Sequence, residues 1–184
     1  MELHMTLDEF QHAAGVSIEI ATRWHPPTDI ALIEFDIATP QRIAAFIAQT
    51  GHETMGYKLT RELWGPTQAQ RAYEPPSKKA HDLGNVNTGD GKRFLGRGLI
   101  QITGRANYRA CGQALNVDLE AEPALLEEVP LAVRSAAWWW NKHGCNELAD
   151  KGDFVALTRR INGGTNGLDD RQRRWEIAKA VLGI

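Results

Sequence analysis

The sequence predicts a mainly α-helical fold with one small β element, and three observations predict it. Helix-start signals recur along the chain, as in Thr6-Leu7-Asp8-Glu9 and Thr39-Pro40. Apolar residues such as Ile43, Phe46, Ile47 and Thr50 repeat at helical rather than alternating spacing. Only Gly96-Arg97-Gly98-Leu99-Ile100-Gln101-Ile102-Thr103 is too rich in glycine for a helix and too apolar for a free loop, so it reads as a short buried strand or extended floor.

The elements follow in order. Thr6 to Glu9 form a capping box that opens a first helix, and Gly15 ends it. A second helix covers Ser17 to Trp24, and Ile30 to Ile37 complete a helical N-terminal part over residues 1–38. Thr39 caps the next helix with Pro40 at its first position, and its apolar face leads to His52 and Glu53. Residues 75–98 hold Leu83-Gly84-Asn85 and Thr88-Gly89-Asp90-Gly91 as turn signals and read as one long loop. Thr103-Gly104 opens a helix to about Leu115, and Pro130 to His143 form another that carries Trp138, Trp139 and Trp140. Three adjacent residues cover about 200° of a helix, so at least one indole faces the core. Helices over Asp153 to Ile161 and Leu168 to Leu182 end the chain, with Gly183 as the stop.

Chemistry concentrates at Gln49-Thr50-Gly51-His52-Glu53-Thr54-Met55-Gly56-Tyr57, with Glu62 nine residues after Glu53. An unbroken helix would put the two carboxyls on opposite faces, about 13.5 Å apart along the axis. Gly56 offers a stop, and Tyr57 to Arg61 are enough chain to bring Glu62 back, which makes the pair usable for glycoside hydrolysis. The opposing reading is two solvated surface glutamates. A helical zinc site is excluded, because the second histidine it needs would stand where Gly56 is. Neither a metal nor another cofactor is expected.

Composition narrows the partners. With 21 basic and 23 acidic residues the molecule carries no overall electrostatic footprint for nucleic acid. The most basic stretch holds Arg159, Arg160, Arg171, Arg173, Arg174 and Lys179, either as a solvated helix face or as a contact for an anionic envelope surface. Cys111 and Cys145 are expected to be buried thiols rather than a disulfide framework. Met1 to Thr6 lack the basic start and apolar run of a signal peptide, and no apolar stretch approaches a membrane span. A length of 184 residues suits a single domain over 1–184, with the motifs in 39–184 and no separate wall-binding domain, and a monomer is expected.

With these residues in view, the chain resembles the chitinase-like catalytic domain of glycoside hydrolase family 19, above all its phage and prophage endolysin branch. Four blocks between Ala44 and Trp175 carry the resemblance: Ile47 to Glu53, Glu62-Leu63, Gly96 to Tyr108, and Ile161 to Leu168. The Gly96-Arg97-Gly98 block is the specific one. The resemblance implies a lysozyme-like bilobal α+β domain with a saccharide cleft between lobes. It also implies an inverting mechanism, whose paired carboxyls usually stand about 6.5–9.5 Å apart to leave room for water. By motif position Glu53 resembles the general acid, Glu62 the general base, and Thr103 the hydroxyl that holds the attacking water. Gln101, Asn107, Asn162 and Arg171 match positions that bind sugar or order the carboxylates. His52 lies beside the acid, and a nearby guanidinium would help keep Glu62 ionised.

The function implied is that of a phage-type endolysin, a muramidase that cuts β-1,4 glycosidic bonds of peptidoglycan glycan strands. Such a protein would be made without a signal peptide in the cytoplasm of a host bacterium, and a holin-type membrane partner would admit it to the wall in the periplasm. The alternatives are a chitinase acting on N-acetylglucosamine polymers and, from another class, a non-catalytic saccharide-binding or wall-associated protein. Leu99 in place of a proline, Ala106 in place of a sugar-contacting tyrosine and the short link from Glu53 to Glu62 depart from plant chitinases. They weaken a transfer of chitin specificity.

Overall fold

The computed structural model describes residues 5–184. Residues 1–4, part of the N-terminal segment and of the stretch read for a signal peptide, lie outside the described residues. The helices are α1 (Leu7–Ala14), α2 (Ile18–Glu34), α3 (Pro40–Glu53), α4 (Gln68–Arg71), α5 (Lys78–Asp82), α6 (Asp90–Arg93), α7 (Arg105–Leu115), α8 (Val129–Lys142), α9 (Cys145–Asp150), α10 (Phe154–Asn162) and α11 (Leu168–Val181). A 3-10 turn covers Pro123–Glu127. No described helix is long and apolar enough to cross a membrane. The chain divides into two compact units, unit 1 over residues 1–59 and 136–184 and unit 2 over residues 60–135.

Unit 1 is organised around α3. Thr39 accepts the Arg42 N–H at 3.2 Å, Pro40 occupies the first turn, and every residue from Ile43 to Gly51 is buried. A helix buried all round belongs at the centre of its unit, and α11 packs along it. Phe46 meets Trp140 edge-on at 5.3 Å, and the Trp140 indole donates to Asn146 Oδ1 at 2.8 Å. Trp140 is therefore the core indole of the three, while Trp138 and Trp139 are half-buried. Cys111 and Cys145 are both buried thiols.

The N-terminal part differs from expectation at one point. In place of two segments separated near Trp24, one helix runs from Ile18 to Glu34 straight through Pro26 and Pro27. Its buried residues Ala21, Trp24, Thr28, Ala31 and Leu32 form one stripe across the prolines, so burial outweighs the lost N–H groups. Thr28 Oγ1 donates to the Trp24 carbonyl at 2.7 Å and satisfies an acceptor within the disturbed turn.

Unit 2 holds the short elements. Residues 75–98 form no structureless loop, since α5 and α6 lie within them. Ser77 caps α5, and Asn85 bridges the Tyr73 carbonyl, to which it donates at 2.9 Å, and the Arg105 N–H, which it accepts at 2.8 Å. The expected strand over Gly96 to Thr103 is replaced by a tight turn. Arg97 and Ile102 exchange both backbone hydrogen bonds, at 3.2 and 2.8 Å, and Arg97 also bridges to Arg61. Gly98 explains the turn: its φ is +94°, and a Cβ there would come 2.7 Å from Ser135 Oγ. Beneath it the buried Arg97 guanidinium donates to Glu127 at 2.7 Å, to Tyr108 at 2.8 Å and to the Arg93 carbonyl at 2.9 Å.

Asp90 ties this region together. It is 2% exposed, accepts two bonds from Arg105 at 2.6 and 2.9 Å, and accepts the Val86 and Asn87 N–H groups at 2.9 and 3.0 Å. Burial works against its charge, but the Arg105 and backbone bonds outweigh it and hold the carboxyl down at about 2, against an ordinary 3.8. A depressed folded value contributes stability that is fully present above the ordinary value and is lost as pH falls toward 2. Asp90→Asn should therefore lower stability at pH 7 by on the order of 1–2 kcal/mol and lose less than wild type between pH 4 and 2, as read from urea midpoints across pH.

Candidate active site

Glu53 is the last residue of α3, where the backbone turns sharply. Met55, Gly56 and Tyr57 all lie in the left-handed region, at φ of 52°, 76° and 62°. For the two that are not glycine this costs about 1–3 kcal/mol each unless the surroundings enforce it. They do so here. The Tyr57 ring is buried against Phe10 at 5.5 Å and Trp24 at 5.6 Å, and its hydroxyl pairs with Thr50 Oγ1 at 2.9 Å. The Gly56 N–H closes the helix end on the Gly51 carbonyl at 2.7 Å. The stop expected at Gly56 is thus built by three residues, and it ends α3 with the Glu53 side chain 23% exposed.

A buried guanidinium holds that side chain. Arg171, 1% exposed on α11, donates through Nη2 to Glu53 Oε1 at 2.6 Å, through Nη1 to Gln49 Oε1 at 2.6 Å, and through Nε to the Asn166 carbonyl at 3.1 Å. Gln49 in turn donates to Thr158 Oγ1 at 2.8 Å. Arg171, expected to bind sugar or order the carboxylates, pairs with Glu53. The reason is geometric, because Gln49 and Glu53 stand one turn apart on α3 and both meet the single buried fork of α11.

His52 points to the other side of the same junction. Its Nδ1 lies 2.7 Å from Asp170 Oδ2, and its ring fills the space a Cβ would need at Gly167. Burial opposes the charge of Asp170, yet the hydrogen bonds from His52 and Arg174 and the charges of Arg174 and Arg173 hold it down at about 2. Asn162 ends α10 and is exposed, and the turn that follows it is the one whose Asn166 carbonyl accepts from Arg171. Unit 1 thus brings together Glu53, His52, Arg171 and the loop that begins at Asn162.

Glu62 belongs to unit 2. Its Oε1 accepts the Gly96 N–H at 2.6 Å, its Oε2 accepts Gln70 Nε2 at 3.0 Å, and its own N–H donates to the Gly96 carbonyl at 2.9 Å. A Cβ on Gly96 would come 2.5 Å from Gln101 Oε1, so the Gln101 amide packs against the glycine whose N–H holds Glu62. Thr103 is half-buried just before α7, and Asn107 Nδ2 donates to its carbonyl at 2.7 Å. The Asn107 amide thus orders the turn that carries Thr103. Four participants escaped the sequence reading: Gln49, Gln70, Asp170 and the Gly96 N–H. The Thr67-x-x-Gln70 capping signature was visible and would have found Gln70.

Unit 1 fixes one carboxyl by a buried guanidinium, and unit 2 fixes another by a backbone N–H and an amide. Residues 33–151 match the family model described as chitinase class I, of glycoside hydrolase family 19. A Haemophilus influenzae protein described as a glycosyl hydrolase family 19 domain-containing protein is 40% identical over 151 residues, covering 70% of this chain and 74% of that protein. Endochitinase 2 of Gossypium hirsutum is 40% identical over 111 residues, 57% of this chain but 37% of that protein. Among solved structures, a bacterial family 19 chitinase superposes with a TM-score of 0.76 at 22% identity, covering 99% of this chain and 96% of that one. Chitinase C from Streptomyces griseus HUT6037 gives 0.72 at 22% identity, covering 97% and 76%. The chain belongs to glycoside hydrolase family 19, and it is a glycosidase.

Arg171→Met strips a donor from Gln49, from the Asn166 carbonyl and from the partly exposed Glu53, each bond worth about 1 kcal/mol. It should therefore lower the unfolding free energy by about 2–4 kcal/mol, whereas Arg173→Met, at an exposed position of α11, should change it by less than ~0.5 kcal/mol. Paired urea titrations check both.

Proposed function

We propose that this glycosidase is a phage-type endolysin that cuts the β-1,4 bond between N-acetylmuramic acid and N-acetylglucosamine in peptidoglycan by an inverting mechanism. In this reading Glu53 gives its proton to the leaving oxygen, Glu62 takes a proton from the attacking water, and the Thr103 hydroxyl holds that water. His52, Gln101, Asn107 and Asn162 bind sugar or order the groups that do, and Arg171 orders the acid. The observation that carries the reading is the preorganisation of both carboxyls. Arg171 holds Glu53 Oε1 on a partly exposed side chain, and Gly96 and Gln70 each hold one oxygen of Glu62.

The reading prefers peptidoglycan on one difference: the small, exposed Ala106 of α7 stands where plant chitinases place a tyrosine, and a muramyl sugar needs more space for its lactyl-peptide group. The chitinase reading stands second, on one observation: relatives that match this chain carry the name endochitinase. The endolysin reading adds cytoplasmic synthesis in a host bacterium and access to the periplasmic wall through a holin-type membrane opening.

Incubating the protein with purified peptidoglycan and, separately, with N-acetylglucosamine oligomers, and weighing the products by mass spectrometry, separates the two substrates. Muropeptides ending in reduced muramic acid after borohydride treatment are expected, and cleavage of the oligomers alone would reverse the choice. Glu53→Gln and Glu62→Gln should each lose about 10²–10⁴-fold in kcat while staying folded by circular dichroism. Thr103→Ala should lose about tenfold, the worth of one hydrogen bond to a water that other groups still hold. Near wild-type turnover by either glutamate variant would take that residue out of its role.

A further inference from the structure

We propose that Gln70, outside the residue set named for the reaction, is a positioning residue that sets the orientation of Glu62. The inference rests on the reading of Glu62 as general base. Gln70 lies on α4 and is 4% exposed. Its amide oxygen accepts the N–H groups of Thr67 at 2.8 Å and Gly65 at 3.2 Å. Two backbone donors can only be met by the oxygen, so the NH₂ end is fixed on the opposite side, where it donates to Glu62 Oε2 at 3.0 Å and to the Leu63 carbonyl at 2.8 Å. All four hydrogen-bonding positions of the amide are filled, and the group has no freedom to flip.

This anchoring distinguishes Gln70 from a helix cap that happens to touch a carboxylate. In an ordinary capping box the third residue reaches back to the cap N–H and its remaining atoms face water. Here the same oxygen serves the cap N–H of Thr67, and the nitrogen is spent on the carboxyl and on the chain immediately after it. Gly96 N–H holds the other carboxyl oxygen at 2.6 Å. The carboxyl plane is thereby pinned at both ends by N–H donors, each leaving lone-pair capacity on its oxygen for a water. Among the described residues Tyr73 and Tyr108 are near enough to feel the Glu62 charge, Gln101 lies against Gly96, and Gln70 Nε2 donates to the carboxyl.

The chemical consequence is specific. An N–H donor fixes the plane of the carboxyl, so its loss leaves the Glu62 oxygens free to rotate. That freedom acts on the step that removes a proton from water and leaves the ground-state grip on the sugar unaltered.

The test uses Gln70→Met and Gln70→Asn in the full chain, with Glu62→Gln alongside. Gln70→Met removes the donor without adding charge, and Gln70→Asn keeps the amide but is one methylene too short to serve Thr67 and Glu62 together. Each should lower kcat about 10-fold or more with KM within about twofold, on the polymer that wild type cleaves. Gln70→Met should also melt at a lower temperature from the lost cap; if it does not fold, Gln70→Asn decides alone. A folded variant with wild-type kcat overturns the inference, as does a change confined to KM. If Glu62→Gln is inactive while the Gln70 variants are normal, only the role of Gln70 falls. If Glu62→Gln turns over at wild-type rate, the base assignment fails and the inference falls with it.

Discussion

Arg171 carries a permanent charge with 1% of its surface exposed, and unit 1 is arranged to satisfy it. Its three hydrogen bonds run to Glu53 and Gln49 of α3 and to the Asn166 carbonyl of the loop before its own helix. A guanidinium in that position must find partners for its fork or lose several kcal/mol. It therefore fixes where α3 lies against α11 and where the last side chain of α3 points. The left-handed turn at Met55 to Tyr57 makes the second half of this constraint, since it ends α3 at Glu53 and leaves the carboxyl partly open to solvent.

Unit 2 solves a comparable problem without a buried cation on the carboxyl. Glu62 is held by a backbone N–H and by an amide whose other end is anchored on backbone donors. The glycine that supplies the N–H has no side chain, and the Gln101 amide occupies the space a Cβ would take. Gly96 thus serves two purposes at once, as donor to a carboxyl and as floor for the Gln101 amide. The arginine in the same block, Arg97, is occupied with Glu127, Tyr108 and Arg93, and its task is to hold the turn closed.

Local signals in the sequence carried much of the fold. Thr6 and Thr39 mark real helix starts, and the period of Ile43, Phe46, Ile47 and Thr50 traces the helix that ends at Glu53. Where local rules failed, a tertiary contact had overruled them. Two adjacent prolines argue for a break, yet the buried stripe from Ala21 to Leu32 carries α2 across them. The glycine-rich run at residues 96–103 looked extended, but positive φ at Gly98 folds it onto itself. Residues 75–98 lacked helical periodicity because α5 and α6 are too short to show any. The candidate residues were found by motif, whereas their partners were not: that Arg171 meets Glu53 depends on packing between positions 118 apart in the chain.

In the proposed mechanism one carboxyl donates a proton while another activates water directly, with no covalent glycosyl intermediate. Proton NMR of a freshly cleaved β-1,4-linked substrate, recorded before mutarotation, tests this most directly. The account predicts that the α-anomer appears first; a β-anomer as the initial product would contradict it.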